Sequence, residues 1–311
     1  MASMQVPTEP DWRTWVRMTR PAFLTLTACG VLLGLATAYA CGCGFHPARA
    51  AATLVLAVAV HAAANAWNDY HDARSGADAA NTSGLFPFTG GSRLIQRGEV
   101  TESQMRGLAL ALAALVVPAG IWLAAAAGGG LLVIGLAGLL LAWAYSAPPL
   151  ALMRRGLGEL TVALAWGLVV VGADYVQRSR FFAIPAVCAV SFALLVANIL
   201  LINGVPDAEA DARVGKRTLA VIAGPEGAAF AYLALTLLAH AWLLVAVLLL
   251  VPPQRALLGL LSLPLSLAAA LLLWRRRREP SALRSAIGLT IAAAQVHALA
   301  MAVGVASIQW V

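Results

Sequence analysis

No charged residue interrupts the stretch GLALALAALVVPAGIWLAAAAGGGLLVIGLAGLLLAWAYSAPPLALM, which runs from Gly107 to Met153. A helix needs about 20 mainly apolar residues to cross a bilayer, and this stretch is long enough for two crossings. A second uncharged stretch extends from Phe23 to Ala40. Apolar runs of this length predict an integral membrane protein with several transmembrane helices.

The composition of the whole chain supports the same class of protein. Of its 311 residues, 61% are hydrophobic and 11% are charged, whereas soluble domains average about 45–50% apolar and about 25% charged residues. We therefore expect one all-α domain over residues 1–311, a polytopic bundle of nine transmembrane helices. Hydropathy places the nine spans at about 21–41, 49–70, 104–124, 129–147, 157–175, 182–203, 226–251, 254–274 and 285–308.

Positive charge is distributed unevenly between the two ends of these spans. Of the 21 Lys and Arg residues, 17 fall in the N-terminal segment or in the connections after spans two, four, six and eight. By the positive-inside rule that face is cytoplasmic, so the net charge of +7 requires no nucleic acid partner. The basic cluster Arg275–Arg278 fits contact with anionic membrane lipid. Residues 1–20 read as an interfacial N-terminal segment, with a short helix over 11–20.

A polar motif at the end of the second span is the first candidate site. It contains Asn65, Asn68, Asp69 and Asp72, and helical spacing places these side chains on one face together with His61, one turn before Asn65. Ionisable side chains at membrane depth are costly and usually functional. We therefore expect this face to bind a polar ligand.

A second polar motif ends the sixth span, on the same predicted face of the membrane. Asn203, Asp207 and Asp211 are four residues apart and also share one helical face. Carboxylate and amide oxygens suit Mg²⁺, which usually binds one or two carboxylates together with substrate phosphate. The two motifs predict a site in which two Mg²⁺ ions hold a diphosphate between them.

Basic residues follow each motif. Arg93, Lys216 and Arg217 lie in the two long connections, where they are placed to contact phosphate oxygens. The positive-inside bias alone explains a residue such as Arg97 equally well. Cys41 and Cys43 have the wrong spacing for a zinc or redox motif, and we interpret them as incidental.

These motifs resemble the UbiA superfamily of intramembrane aromatic prenyltransferases, over nearly the whole chain. The first motif often has a further Asp four residues on, but here Gly76 stands there and the acid is Asp78. This shifted form resembles the 1,4-dihydroxy-2-naphthoate polyprenyltransferase (MenA) branch. Further matching stretches are Gly90-Gly-Ser-Arg93, Arg155-Gly-Leu-Gly-Glu159, Asp174-Tyr-Val-Gln177 and Gly215-Lys-Arg-Thr-Leu-Ala-Val221. Two departures are the charged Asp174 and Pro206, which should kink the second motif.

The resemblance implies a cytoplasm-facing central cavity that is open sideways to lipid and holds the isoprenoid tail. It implies the metal ligands Asn68, Asp72, Asn203, Asp207 and Asp211, with Asp72 and Asp207 the strongest. The catalytic residues it implies are Asp72, Asp207, Lys216 and Arg93. The implied diphosphate or substrate contacts are Asn65, Asp69, Asp78, Tyr145, Arg155, Glu159 and Arg217.

The implied reaction transfers a polyprenyl group from an allylic diphosphate to a hydroxylated aromatic acceptor. In the matching branch the acceptor is 1,4-dihydroxy-2-naphthoate, and decarboxylation gives demethylmenaquinone for menaquinone biosynthesis in the bacterial inner membrane. Other acceptors, such as 4-hydroxybenzoate or homogentisate, stay open. An ion-coupled transporter is the alternative of another class, although its acids would be expected at the membrane midplane rather than at one face.

Overall fold

The computed structural model describes residues 9–82 and 84–310, and it contains α-helices, short 3₁₀-helices and connections. In this part of the chain no β-strand occurs. The α-helices are α1 Trp12–Met18, α2 Pro21–Ala40, α3 Pro47–Ser75, α4 Ala77–Ala80, α5 Glu102–Ala127, α6 Gly130–Ser146, α7 Gly158–Arg178, α8 Ala183–Arg213, α9 Leu219–Leu248, α10 Leu263–Arg276 and α11 Arg284–Ala306. The 3₁₀-helices cover Leu152–Arg155, Gln254–Ser262, Pro280–Leu283 and Ser307–Trp310.

The predicted all-α membrane bundle is confirmed. Within the described residues, 8 helices are long and apolar enough to cross a membrane, two of them extended by the 3₁₀-helices before α10 and α11. The predicted fourth span corresponds to α6, a shorter apolar helix of 17 residues, so a ninth crossing stays a prediction. A helix, α1, also forms in the predicted interfacial segment, of which residues 1–8 lie outside the described part.

Local sequence signals explain where several helices begin and end. Thr101 and Gln104 form a capping box at the start of α5, in which each side chain bonds the backbone N–H of the other residue. Proline is the first residue of both α2 and α3, where no N–H is needed for a helical hydrogen bond. Gly76 ends α3 with φ of 78°, a left-handed conformation that glycine adopts without strain.

Helix α8 lies at the centre of the bundle, with 67% of its most apolar window buried. It packs against α7, α9, α11 and α2 around a core that includes Leu33, Phe192 and Met301. Small residues permit close helix packing, as is usual within membranes. A Cβ atom at Gly34 of α2 would lie 2.1 Å from the carbonyl oxygen of Val170 in α7, so that crossing requires glycine.

Helix α8 continues through Pro206 to Arg213, so the second motif stays on one continuous helix. Proline there has no N–H for the carbonyl of Ile202, and the neighbouring turns maintain the helical path. The unexpected Asp174 is explained by its contacts at the opposite end of the bundle. Its Oδ1 accepts from Thr37 Oγ1 at 2.8 Å and pairs with Arg178 Nη2 at 2.5 Å.

The structure corrects one interpretation of the sequence. Cys41 and Cys43, taken as incidental, are joined by a disulfide bond in the connection that follows α2. A Cys-x-Cys pair is close enough for such a bond because only one residue separates the two side chains, and their Cα atoms are 5.2 Å apart.

Candidate active site

Two adjoining cavities lie among α2, α3, α5, α6, α7 and α8. The smaller one, here called the polar pocket, has a volume of about 110 Å³ and lies where both acidic motifs end. The larger one, the apolar cavity, has a volume of about 590 Å³ and extends into the bundle. They meet at a junction whose lining residues belong to both: Arg20, Asn68, Tyr145, Leu200 and Asn203.

The structure brings most of the predicted site residues together. Nine of them line the polar pocket: Asn68, Asp72, Asp78, Tyr145, Glu159, Asn203, Asp207, Asp211 and Lys216. Asn65 lines the apolar cavity, and its amide nitrogen donates to the carbonyl of Thr19 at 2.9 Å. Spacing on α3 and α8 therefore predicted a real spatial cluster.

Lys216 links the two acidic motifs. Its Nζ lies 3.3 Å from Oδ2 of Asp72 on α3 and 3.4 Å from Oδ1 of Asp211 on α8. All three side chains are largely buried, so this contact neutralises carboxylates that would otherwise repel each other. The ammonium group thus lies between the two motifs, where a metal ion that bridged Asp72 and Asp211 would also lie.

Asp207 holds the connection between α4 and α5 against α8. Its Oδ1 accepts from Asn81 Nδ2 at 2.7 Å, and its Oδ2 accepts from the backbone N–H of Gly90 at 2.9 Å. Both carboxylate oxygens therefore bond groups of the first long connection. This arrangement places Asp207 as an organiser of the pocket wall as well as a potential metal ligand.

Asp69 and Asp78 lie against the turn at Gly90 and Gly91. Asp69 Oδ2 accepts from the backbone N–H of Ser92 at 3.0 Å, and Asp69 Oδ1 lies 3.8 Å from Arg20 Nη1. Gly91 has φ of +71°, and a Cβ atom there would lie 3.1 Å from both Asp69 Oδ1 and Asp78 Oδ2. The two carboxylates thus enclose a turn that only glycine fits comfortably.

The donors around the polar pocket fit Mg²⁺. They are carboxylate and amide oxygens, and the Oδ1 atoms of Asn81 and Asn203 are buried without a hydrogen-bond partner in the described part of the chain. Buried carbonyl oxygens normally have a partner, and a cation supplies one. Among the described residues no three His, Cys, Asp or Glu side chains converge tightly enough to hold one ion. Mg²⁺ needs only one or two carboxylates when phosphate and water complete its shell.

Charge and burial alter proton binding beside the pocket. The pKa of Asp78 is raised to about 8, mainly by burial and also by the neighbouring Asp72 and Asp69, while Lys216 and Arg20 oppose the increase. For Lys216, burial alone would lower the pKa. The carboxylates of Asp72 and Asp211 outweigh that effect, so its pKa lies above the ordinary value of 10.5.

Three predicted basic contacts lie away from both cavities. Arg155 is exposed, and its Nη2 donates to the carbonyl of Pro149 at 2.6 Å. Arg217 is exposed as well, although it directly follows the buried Lys216. Arg93 donates to the backbone carbonyl of Asp78, and its guanidinium carbon lies 4.9 Å from the centre of the Phe86 ring. It therefore contacts a residue of the pocket wall without lining the pocket itself.

Two features of the site were not predicted. Arg20 lines both cavities, although its position before the first span suggested only a topological charge. The connection over 81–91 contributes Asn81, Thr89, Gly90 and Gly91 to the polar pocket. The pair Gly90-Gly91 was a usable signal, since consecutive glycines mark backbone that must approach other groups closely.

This fold defines a polytopic membrane protein in which a pocket lined by charged residues adjoins a long apolar cavity. The UbiA prenyltransferase family matches residues 28–294. The chain belongs to this family and is a prenyltransferase. The predicted resemblance is confirmed, and the family assignment favours an enzyme over a transporter.

Relatives with assigned activities are similar over most of their length. A 1,4-dihydroxy-2-naphthoate octaprenyltransferase from Mycobacterium tuberculosis is 33% identical over 261 residues, which cover 82% of this chain and 84% of the relative. One from Bacillus subtilis is 28% identical over 232 residues, which cover 73% of this chain and 71% of the relative.

Solved structures share the fold. A UbiA homologue from Archaeoglobus fulgidus, bound to GPP and Mg²⁺, superposes with a TM-score of 0.62 at 18% identity. The alignment covers 92% of this chain and 98% of that homologue. At this identity the similarity establishes the helical architecture rather than the ligands of this chain.

Proposed function

We propose that this prenyltransferase carries out a Mg²⁺-dependent transfer of a polyprenyl group from an allylic diphosphate to 1,4-dihydroxy-2-naphthoate. The observation that carries the proposal is the junction at Asn68, Tyr145 and Asn203, where a polar acidic pocket opens into a long apolar cavity. An allylic diphosphate has the same two parts, a charged head and a hydrocarbon tail. Relatives named for this reaction support the choice of acceptor.

The acidic motifs and Lys216 bind the diphosphate in this proposal. Asp72, Asp211 and the free amide oxygen of Asn203 are the groups that would hold magnesium, with Asn68 and Asp207 beside them. When bound, Mg²⁺ supplies positive charge that stabilises the departing diphosphate. Lys216, now paired with two carboxylates, would donate to a phosphate oxygen as the charge on that oxygen develops.

The junction residues control the reactive carbon. The bond between C1 of the prenyl chain and the diphosphate oxygen breaks, and its electron pair leaves with the diphosphate. Tyr145 lies where the resulting allylic cation forms, and its ring face can stabilise positive charge. The apolar lining below excludes water, which would otherwise capture the cation.

The acceptor completes the reaction from within the apolar cavity. The ring carbon that bears the carboxylate forms the new bond to C1, and loss of that carboxylate as CO₂ returns an electron pair to the ring. The products are pyrophosphate, CO₂ and the quinol form of demethylmenaquinone. Charge and atoms balance without a further reactant.

The placement in the cell belongs to the same proposal. By the positive-inside rule, the basic residues near the polar pocket, including Lys216 and Arg20, support a cytoplasmic placement of that end of the bundle. We assign the chain to the bacterial inner membrane, with the polar pocket facing the cytoplasm, where soluble aromatic acids and Mg²⁺ are available.

Purified protein in lipid nanodiscs provides the test. Octaprenyl diphosphate and Mg²⁺ would be incubated with 1,4-dihydroxy-2-naphthoate, 4-hydroxybenzoate or homogentisate, and products identified by mass spectrometry. We expect prenylated, decarboxylated product from the naphthoate and loss of activity with EDTA. A product only from another acceptor would overturn the assigned acceptor, and full activity in EDTA would overturn the assigned metal.

A further inference from the structure

The apolar cavity has two chemically different walls. Helices α5 and α6 line it with aliphatic side chains and glycines, apart from Tyr145 at the junction. The opposite wall, from α2, α3 and α7, carries Thr27, His61 and Trp166 well below the polar pocket. A prenyl tail offers no hydrogen bond, so it suits the first wall and leaves the second unexplained.

Thr27 and His61 form a cross-helix pair that differs from the other threonines of the cavity. Thr27 Oγ1 lies 2.8 Å from His61 Nδ1, which joins α2 to α3. The hydroxyls of Thr53 and Thr161 instead donate to carbonyls of their own helices, at Arg49 and Leu157. Only the first arrangement fixes an imidazole ring at the cavity wall.

Two polar groups on this wall lack a protein partner. In the described part of the chain, Nε2 of His61 makes no hydrogen bond, and the indole N–H of Trp166 is buried without an acceptor. The two rings pack edge to face, with centroids 4.8 Å apart. The buried indole nitrogen is closed off by protein atoms, so the unpartnered nitrogen that a ligand in the cavity can reach is Nε2 of His61. Leaving that nitrogen against hydrocarbon costs about 1–3 kcal/mol, so a polar ligand atom is favoured there.

A hydroxyl group fits His61 in either tautomer. If Nδ1 accepts from Thr27, Nε2 carries the proton and donates to the ligand oxygen. If Nδ1 donates, Nε2 accepts from the ligand O–H. A hydroxyl both donates and accepts, whereas a hydrocarbon does neither.

The position of His61 relative to the polar pocket suits an aromatic ring. His61 precedes Asn68 by two helical turns on the same face of α3, which corresponds to about 10 Å along the axis. The acceptor ring must approach C1 of the donor to about 3.5 Å, directly below the polar pocket. A hydroxylated ring in that position extends from the junction toward His61.

We propose that Thr27, His61 and Trp166 form the binding wall for the hydroxylated aromatic acceptor, whose hydroxyl bonds Nε2 of His61. Thr27 is a positioning residue that orients the imidazole, while the prenyl tail lies along α5 and α6. The inference rests on the proposed function, because it assigns the acceptor of that reaction to one wall. It makes His61 a determinant of which acceptors are bound.

Steady-state kinetics of the full chain in nanodiscs test the assignment. Thr27→Val and His61→Phe should each raise the KM for 1,4-dihydroxy-2-naphthoate about tenfold, with the KM for octaprenyl diphosphate unchanged. Thr27→Ser should restore the wild-type value because it keeps the hydroxyl. Thr53→Val is the matched control, since its hydroxyl lines the same cavity but bonds its own helix, and it should change neither KM.

A ligand lacking one hydroxyl group sharpens the test. Acceptor binding would be measured without donor, through tryptophan fluorescence, for 1,4-dihydroxy-2-naphthoate and for 1-hydroxy-2-naphthoate and 4-hydroxy-2-naphthoate. One monohydroxy compound should bind the wild type about tenfold more weakly, and that difference should vanish in His61→Phe. If His61→Phe lost the same factor of affinity for all three compounds, the role of His61 would be merely structural and the assignment would be overturned.

The outcomes separate this inference from the proposed function. Wild-type transfer to the naphthoate with unchanged acceptor KM in both variants would reject the binding wall and leave the reaction intact. Binding of the naphthoate that depends on His61, without any prenyl transfer, would reject the reaction and leave the wall intact. A raised KM for the donor alone would assign the wall to the prenyl chain and overturn the inference.

Discussion

Lys216 Nζ lies 3.3 Å from Oδ2 of Asp72, a residue 144 positions earlier in the chain. This contact closes the polar pocket by connecting the segment after α8 to the end of α3. A second contact, 3.4 Å to Asp211 Oδ1, ties the same ammonium to α8. One cation thus balances two carboxylates and stands beside the space that the diphosphate would enter.

Replacing Lys216 should lower both activity and stability, because it removes a charge beside the diphosphate and leaves the buried carboxylates of Asp72 and Asp211 unpaired. We expect Lys216→Met to lower kcat about 10²-fold, because a charge that stabilises the leaving group is lost from a buried site. Arg217→Gln, the exposed neighbour, serves as control and should retain activity within about twofold. Product formation by mass spectrometry gives kcat, and similar losses in both variants would contradict a specific role for Lys216.

The sequence predicted the parts of this site that depend on local geometry. Asn68 with Asp72, and Asn203 with Asp207, are each four residues apart, so helix periodicity alone places each pair on one face. The prediction that the two faces meet rested on the placement of both motifs at the same side of the membrane. Helix α8 retained this face despite Pro206, because the neighbouring turns hold the helical path.

Contacts between distant segments could not be predicted in this way. Asp207 bonds Gly90 and Asn81, at sequence separations of 117 and 126 residues, and nothing in local spacing indicates such pairing. The role of Arg20 was hidden for another reason. An Arg before a first span already has an explanation in membrane topology, yet here it lines both cavities.

Acidic residues of α8 should differ sharply in importance. Asp207→Asn is expected to lower activity at least about tenfold and to raise the Mg²⁺ concentration for half-maximal rate, because the carboxylate holds the pocket wall and lies beside the expected metal. Glu209→Gln is the matched control on the same helix, since its side chain is 81% exposed. Titration of the rate with Mg²⁺ distinguishes them, and an unchanged Mg²⁺ requirement in Asp207→Asn would contradict the prediction.

Stability should depend on pH through Asp78. Its pKa rises from 3.8 to about 8 on folding, so between these values the folded state binds more protons than the unfolded state. The free energy of unfolding should then fall as pH rises through this window and level off above about pH 8. Thermal unfolding would be measured without Mg²⁺ at pH 5, 7 and 9. The unfolding temperature should decline less with rising pH in Asp78→Asn than in the wild type. Equal declines in both proteins would contradict the assignment to Asp78.

Mg²⁺ binding should release protons for the same reason. At pH 7 the Asp78 carboxyl is mostly protonated, and a nearby divalent cation favours its charged form. The apparent affinity for Mg²⁺ should rise from pH 6 to pH 9. Calorimetric titration in two buffers with different ionisation enthalpies measures the proton release, and identical heats in both buffers would count against it.

Gly91 should be needed for activity beyond its effect on the backbone. Both Gly91 and Gly98 have φ of +71°, so alanine at either position incurs a similar backbone cost of about 1–2 kcal/mol. Only at Gly91 would an added Cβ atom approach carboxylates, at 3.1 Å from Asp69 and Asp78. At Gly98 none of the described atoms would lie within 4 Å of an added Cβ atom.

Gly98→Ala should therefore lower the unfolding temperature yet keep the wild-type kcat. Gly91→Ala should lose stability and also at least about tenfold in kcat, since it displaces the turn that bonds Asp207. Matching kcat values for the two variants would show that the turn tolerates displacement and that Asp69 and Asp78 do not set its position.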